Sequence, residues 1–444
     1  MLALVALPVD LAAPAVQQRP SPTRRQLCLV FAAALTVRVV YVLLALRSYS
    51  FHADDGHYSE IASNVAAGRG VSSAFPYLWV HHTAFRPPLY PLLLGAAYAV
   101  FGVHIGVAQG LNILLGSLVV VLAALVAGRL AGRRAALVAA LVAALVAALH
   151  PALLANDGVV LTEPLALLLM LLAVWLLLTQ RALLAGLALG LLVLTRPSAQ
   201  LLVPTLAVLL VLQARWRQAL AVVAMAGLVV APWVARNVVY FGKPVIVTSN
   251  GFNLAAIWSD QSIAAGHFLD PVRDPSFTEL RGYQHSNANL NEATLDATFR
   301  QAGIDGLRTH LGRVPSQVKE NLLFLSDVSW GRNDNAEQLD GRNLAVRHAA
   351  LPLIWLLELA GVAGLAVLVR RRDGVLLVVT AGYFVAVSLV TVAPPRLRAP
   401  FDVLACIAIG VLVSRLSSRR RRERHAEPDA RPRRATASVA AGAP

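Results

Sequence analysis

Runs of Leu, Ala and Val recur along almost the whole chain, separated by short polar connections. Ten of them read as membrane-crossing helices, at about 27–46, 106–128, 135–154, 164–179, 182–195, 199–213, 219–235, 351–369, 375–393 and 400–416. Several are shorter than the ~20 residues that a hydrocarbon layer about 30 Å thick requires. Two long stretches interrupt the series. The first, 47–105, holds half-apolar pieces such as P-L-L-L-G-A-A-Y-A-V-F-G, too short to cross and preceded by Arg86-Pro87-Pro88; these predict helices lying at the membrane surface. The second, 236–348, is rich in Asn, Asp and Gly with acids and bases nearly balanced, and predicts a small cap with some helix, for example over 292–312. The pattern predicts an all-α polytopic membrane protein.

Composition supports the pattern. Of 444 residues, 57% are hydrophobic and 14% charged, and mean hydropathy is +0.63; a soluble chain of this length needs far more polar surface. The net charge of +15 could point to nucleic acid, but its placement argues against that partner: the arginines sit in short connections and in the tail, the topology signal of membrane proteins. With Arg24 and Arg25 in the cytoplasm, ten crossings bring Arg129, Arg133, Arg134, Arg181, Arg215, Arg217, Arg370, Arg371, Arg372 and the run from Arg419 to one side. Merging 182–213 into one span would put the last two clusters outside, so the break at Thr195-Arg196-Pro197 is kept.

The expected organisation is a cytoplasmic segment 1–26, a transmembrane core 27–235 containing the external loop 47–105, an extracytoplasmic domain 236–348, C-terminal transmembrane helices 349–416, and a basic, disordered cytoplasmic tail 417–444 attracted to anionic lipid. The first 20 residues contain Asp10 and lack a basic start, so no cleaved signal peptide is expected. Cys28 and Cys406 read as small apolar residues and build no disulfide framework or zinc motif. Lysine is almost absent against many arginines, which hints at a GC-rich bacterial genome and a plasma-membrane location.

This topology sends charged groups from several connections to one external face: Asp54, Asp55, Arg86, Asp157, Glu163, Arg196, Arg236, Arg396 and Arg398. That pattern suits an anionic, membrane-bound substrate. Asp54 is either a helix cap or a general base taking a proton from an acceptor hydroxyl; in a helix it shares a face with Tyr58, Ile61 and Ala62. His52 and His57 could add metal ligands, but the spacing matches no strong ligand motif. Glu163, followed by Pro164, is either a helix-start acid or, with Asp157, a carboxylate that orients an acceptor or a metal. Arg396 and Arg398 lie opposite the positive clusters and read as snorkelling anchors or as a phosphate clamp. Arg236 carries the same ambiguity, with Trp233 beside it as a belt residue. Arg38, inside the first span, is assigned no role. Tyr77, Trp79, Phe85 and Tyr90 read as interfacial anchors. A transporter or flippase of a lipid-linked saccharide is the alternative class, kept open by Arg38 and Glu358, although most polar groups sit at span ends rather than the midplane.

The stretches D-D-G-H-Y-S-E-I-A-S-N-V-A-A-G-R-G, R-P-P-L-Y-P-L-L-L-G-A-A-Y-A-V-F-G, L-T-E-P-L, L-T-R-P, A-P-W-V-A-R-N-V-V-Y-F-G-K-P-V and P-R-L-R-A-P follow one another between residues 27 and about 416. In that order they resemble the GT-C superfamily of integral membrane glycosyltransferases, and more narrowly the dolichyl-phosphate-mannose-protein mannosyltransferase and aminoarabinose-transferase group (glycosyltransferase family 39/83). The resemblance implies a GT-C-type bundle of about ten transmembrane helices. It implies a hexosyl- or pentosyltransferase (EC 2.4) with a polyprenyl-phosphate-linked sugar as donor and a lipid, glycan or protein hydroxyl as acceptor. It also implies an extracytoplasmic site, inverting single displacement, and no nucleotide-sugar pocket. The family's acidic motif often reads Asp-Glu with a Tyr three residues beyond, so Asp54 takes the base position, Asp55 replaces the Glu and Tyr58 matches the Tyr. Glu163 matches an acidic position before the fourth span, and Arg396 and Arg398 a basic pair before a late span. A protein-bound metal is not expected from the motifs, while a divalent cation (Mg or Mn) stays open as cofactor.

Overall fold

The computed structural model describes residues 22–51, 53–76, 80–132, 135–277 and 291–426. Residues 1–21 of the N-terminal segment, His52, Tyr77, Trp79, Arg133, Arg134 and residues 427–444 of the tail lie outside the described residues.

All ten predicted apolar runs are helical. Helix α1 (Arg24–Ala45) opens with a capping box in which Thr23 and Gln26 bond each other's backbone N–H. The external loop then forms α2 (Asp54–Ala66), a minimal antiparallel pair β1 (Ser72–Ser73) and β2 (His81–His82) with Ser72 opposite His82, and α3 (Leu89–Phe101). Next come α4 (Ile105–Leu130), α5 (Ala136–Leu149), α6 (Pro151–Gly158), α7 (Glu163–Leu178), α8 (Ala182–Val193), α9 (Leu202–Leu212) and α10 (Trp216–Phe241). The cap contains α11 (Asn250–Trp258), α12 (Asp260–Ala265), α13 (Glu292–Thr309), α14 (Val314–Leu325) and α15 (Trp330–Leu339). Helices α16 (Leu344–Leu368), α17 (Arg372–Val390) and α18 (Ala399–Ala426) complete the bundle.

Among the described residues, six helices are long and apolar enough to cross a membrane, and seven if the bent pair α5–α6 is one span. The predicted span 135–154 is thus broken: Pro151 stands at the first position of α6, His150 before it is extended, and the axis turns by 57°. Helices α7, α8 and α9 have 16, 12 and 11 residues.

Residue size decides which side of a helix faces protein. In α5 the buried positions are all alanines, Ala136, Ala139, Ala140, Ala143, Ala144, Ala147 and Ala148, whereas Leu137, Leu141 and Leu145 are exposed. In lipid, leucine gains little from burial, so small residues go inward and let α4 and α18 approach closely. The first half of α18 is consequently the buried post of the bundle. The same device joins the cap: a Cβ on Gly251 or Gly306 would run into the backbone of the facing helix, so α11 and α13 cross at glycine contact distance.

Candidate active site

One face of the bundle gathers the first turn of α2, the Phe85–Pro87 segment, the α6–α7 and α8–α9 connections, α11 and the segment before α18 around a cavity of about 430 Å³. The cavity has two characters. Asp54, Tyr58, Arg86, Glu163, Arg196 and Arg396 line one end, while Phe252, Ile257, Trp258, Phe268, Val390 and Leu397 contribute an apolar wall.

Asp54 is the centre of the charged end. It sits in the first turn of α2, where the helix dipole favours a carboxylate. Arg86 takes one carboxylate oxygen and Arg396 the other, the latter at 2.6 Å. Burial works to raise the pKa of Asp54, but the two guanidinium groups outweigh it and hold the carboxyl well below the usual range. Arg396 also bonds Asp340 at 2.7 Å and stands 3.9 Å from Glu163. Glu163, at the start of α7, pairs with Arg196 at 3.2 Å, and its Oε2 is buried without a hydrogen-bond partner. The Arg86 guanidinium lies over the Tyr58 ring at 5.2 Å, and Tyr58 packs edge-on to Tyr90.

Six of the ten candidates therefore meet in the cavity; the other four do not line it. Asp55 points the opposite way, since neighbouring helical positions diverge by about 100°. It accepts bonds from Tyr49 Oη (2.6 Å) and from the Ala53 and Gly56 N–H groups, and so pins the entry to α2. Asp157 is buried against Arg38 at 2.6 Å, inside the bundle. Arg236 ties α10 to the external loop through the Val71 and Thr83 carbonyls and stacks on Trp233 and Tyr240. Arg398 is buried among Asp327, Glu358 and Asp402. The expected Arg396/Arg398 clamp is thus divided: the 3-10 turn Pro395–Arg398 sends Arg396 into the cavity and Arg398 into the protein. Arg38 and Glu358 are both paired, with Asp157 and Arg398 respectively.

Sequence reasoning missed Asp340, which reaches Arg396 from the end of α15. Burial raises its pKa to about 6 in spite of Arg396 and Arg342. It also missed the cap residues Ser249, Asn250 and Asn253 on the cavity wall; a polar Asn-rich loop carries no signal that singles them out. The Arg398–Asp402 pair was also missed, although its spacing of four residues is the signal that could have found it.

Among the described residues no group of three His, Cys, Asp or Glu side chains has the placement to hold a metal ion. The carboxylates of the cavity, Asp54 and Glu163, each face an arginine.

Residues 85–240 match the family model described as dolichyl-phosphate-mannose-protein mannosyltransferase. A search of curated proteins found no match. Among solved structures, the chain is similar to the archaeal oligosaccharyltransferase AglB from Archaeoglobus fulgidus in complex with an inhibitory peptide and a dolichol-phosphate, with a TM-score of 0.55, 15% identity, and 94% of this chain and 52% of that chain covered. A second structure of the Archaeoglobus fulgidus oligosaccharyltransferase, with Zn and sulfate, gives 0.53, 15%, 88% and 49%. ArnT from Cupriavidus metallidurans bound to undecaprenyl phosphate aligns at a TM-score of 0.43, with 16% identity over 89% of this chain and 79% of that one. This chain spans about half the length of the oligosaccharyltransferase chains it matches. The fold defines the class: a multi-pass, all-α membrane protein whose bundle is similar to that of the archaeal oligosaccharyltransferase. The family-model match over 85–240 takes in Arg86, Glu163, Arg196 and Arg236.

Proposed function

We propose that this chain is a membrane glycosyltransferase that takes a monosaccharide from a polyprenyl-phosphate-linked donor and passes it to a hydroxyl acceptor on the extracytoplasmic side. The observation that carries this reading is the Asp54 carboxylate, held between Arg86 and Arg396 at the charged end of a cavity whose other wall is apolar. An amphiphile with an anionic head fits both halves. The family model and the dolichol-phosphate complex of the archaeal oligosaccharyltransferase support the donor class.

The proposed chemistry is one displacement with inversion. The acceptor oxygen forms a bond to the anomeric carbon while the bond from that carbon to the phosphate oxygen breaks. The bonding pair leaves with the phosphate, and the acceptor proton passes to Asp54. Leaving-group charge is stabilised by Arg86, Arg396 and Arg196, fixed cations in a partly desolvated site. Donor binding also prepares the base: a phosphate that takes over these guanidinium groups relieves the hold on Asp54 and raises its basicity. Glu163 keeps Arg196 in place. No step requires a bound metal, in line with the arginine-paired carboxylates.

Asp54→Asn tests the assignment. The variant gives up an anion that two arginines hold, so its Tm should fall, but it should remain folded in detergent and lose transfer by at least about a hundredfold, the lower range for a general base. Full transfer of labelled sugar from polyprenyl phosphate by a well-folded variant would remove Asp54 from the mechanism. Movement of the saccharide across vesicles with no covalent product would replace the transferase with a transporter.

A further inference from the structure

Helix α2 carries three ionisable residues at successive turns, Asp54, His57 and Glu60. The spacing of three keeps them on one side of the helix. Only Asp54 lines the cavity. His57 is buried between the rings of Phe75 and Phe85, at 5.2 and 5.7 Å. Its two nitrogens are both used: Nε2 lies 2.9 Å from Ser73 Oγ, and Nδ1 lies 3.2 Å from Arg86 Nε.

Proton accounting along this chain leaves one arrangement. Ser73 Oγ donates its only hydrogen to Glu60 Oε2, at 3.1 Å. The same oxygen then accepts from His57, so the imidazole hydrogen sits on Nε2. Nδ1 is left with a lone pair, which is what the Arg86 Nε–H requires, since an arginine has donors only. Glu60 is fixed in turn by the Ala74 N–H at 2.8 Å. The order therefore runs from Arg86 through His57 and Ser73 to Glu60, with each group donating to the next.

We propose that His57 is a positioning residue, locked as the neutral Nε2–H tautomer by Ser73 and Glu60 so that its Nδ1 fixes Arg86 against Asp54. A ring carrying both protons would turn two N–H donors on each other and push Arg86 out of place. The surroundings oppose that state. Burial and Arg86 push the imidazole pKa well below its ordinary value, Arg273 from the cap and His81 from β2 act in the same sense, and Asp54 opposes them. The device holds Nε and leaves the outer edge of the guanidinium to the anion. Its bearing on donor binding rests on the function proposed above; the tautomer itself does not.

The test uses the full chain in lipid nanodiscs. Nitrogen-15 NMR of labelled histidines, with His57→Gln to assign the signal, is expected to show one neutral imidazole protonated at Nε2 at pH 7 and still neutral at pH 5. An imidazolium, or hydrogen on Nδ1, would overturn the proposal. In binding of polyprenyl phosphate, Ser73→Ala is expected to weaken affinity roughly five- to tenfold, the worth of one such hydrogen bond, while Ser73→Thr, which keeps the hydroxyl, binds as the wild type. Equal affinity in all three proteins also overturns it. A wild-type protein that does not bind polyprenyl phosphate defeats the proposed function, and the tautomer measurement still decides the role of His57.

Discussion

Replacing Arg396 by Gln isolates the central cation of the site. The side chain bonds Asp54 at 2.6 Å and Asp340 at 2.7 Å. Gln preserves much of the volume and none of the charge. The structural cost is contained, because burial pushes the Asp340 pKa to about 6 even beside Arg396 and higher without it, so taking up a proton at pH 7 costs at most about 1.4 kcal/mol. Asp54 keeps Arg86. The loss in anion binding is larger: each charge-assisted hydrogen bond is worth ~1.5–3 kcal/mol, and a guanidinium fork offers a phosphate two of them. A loss of about 3 kcal/mol corresponds to roughly a hundredfold in Kd. Arg396→Lys, which keeps the charge without the fork, should lose about tenfold. Calorimetric titration of polyprenyl phosphate into detergent-solubilised protein reads both values, with thermal unfolding recorded in parallel. Arg398→Gln is the contrast. It leaves Asp402 and Glu358 without their arginine in the interior, while Asp327 keeps Arg347, so Tm should fall by several degrees while the folded fraction still binds. Wild-type affinity for Arg396→Gln beside lost affinity for Arg398→Gln would refute the division between the two arginines.

Three further outcomes follow from the same geometry. Asp55→Ala removes the acceptor for Tyr49 and two backbone N–H groups, and should cost about 2–3 kcal/mol of stability, seen as a lower Tm; unchanged Tm with lost transfer would make Asp55 the base instead. Arg38→Ala strands Asp157 inside the bundle and should cost about 3–5 kcal/mol, whereas the double change Arg38→Leu with Asp157→Leu should recover much of it; expression and Tm in detergent compare the two. Asp340 has its folded pKa raised from 3.8 to about 6. A raised carboxyl favours folding below pH 4, and that contribution, about 3 kcal/mol, is lost as pH rises through 6. Asp340→Asn should flatten this part of the Tm-against-pH curve; an unchanged slope would show that Asp340 does not titrate there.

The bundle was legible because the hydrocarbon layer imposes apolar runs of a recognisable length, and all ten runs became helices. Convergence of Asp54, Arg86, Glu163, Arg196 and Arg396 was legible from topology, since their connections emerge on one face. Direction was not. Asp54 and Asp55 are adjacent and identical, and only the backbone turn of α2 sends one to the cavity and the other to Tyr49. Arg396 and Arg398 are two residues apart, and a single 3-10 turn separates their fates. Asp340 and Arg396 are 56 positions apart and Asp157 and Arg38 are 119 apart, distances over which no local pattern reports a partner.

Helices α8 and α9 have 12 and 11 residues, rises of about 18 and 17 Å against a hydrocarbon layer of about 30 Å. Their connection carries Thr195, Arg196 and Ser198 into the cavity. A hydrophobic stretch shorter than the layer can be accommodated by thinning of the bilayer beside it, which would let headgroups come down towards Arg196. The lipid donor proposed above would then bring its phosphate to the arginines while its chain stays in the leaflet. For the function proposed above, two short helices would do work that a soluble enzyme assigns to an extraction step, and substrate entry would depend on the thickness of the surrounding membrane.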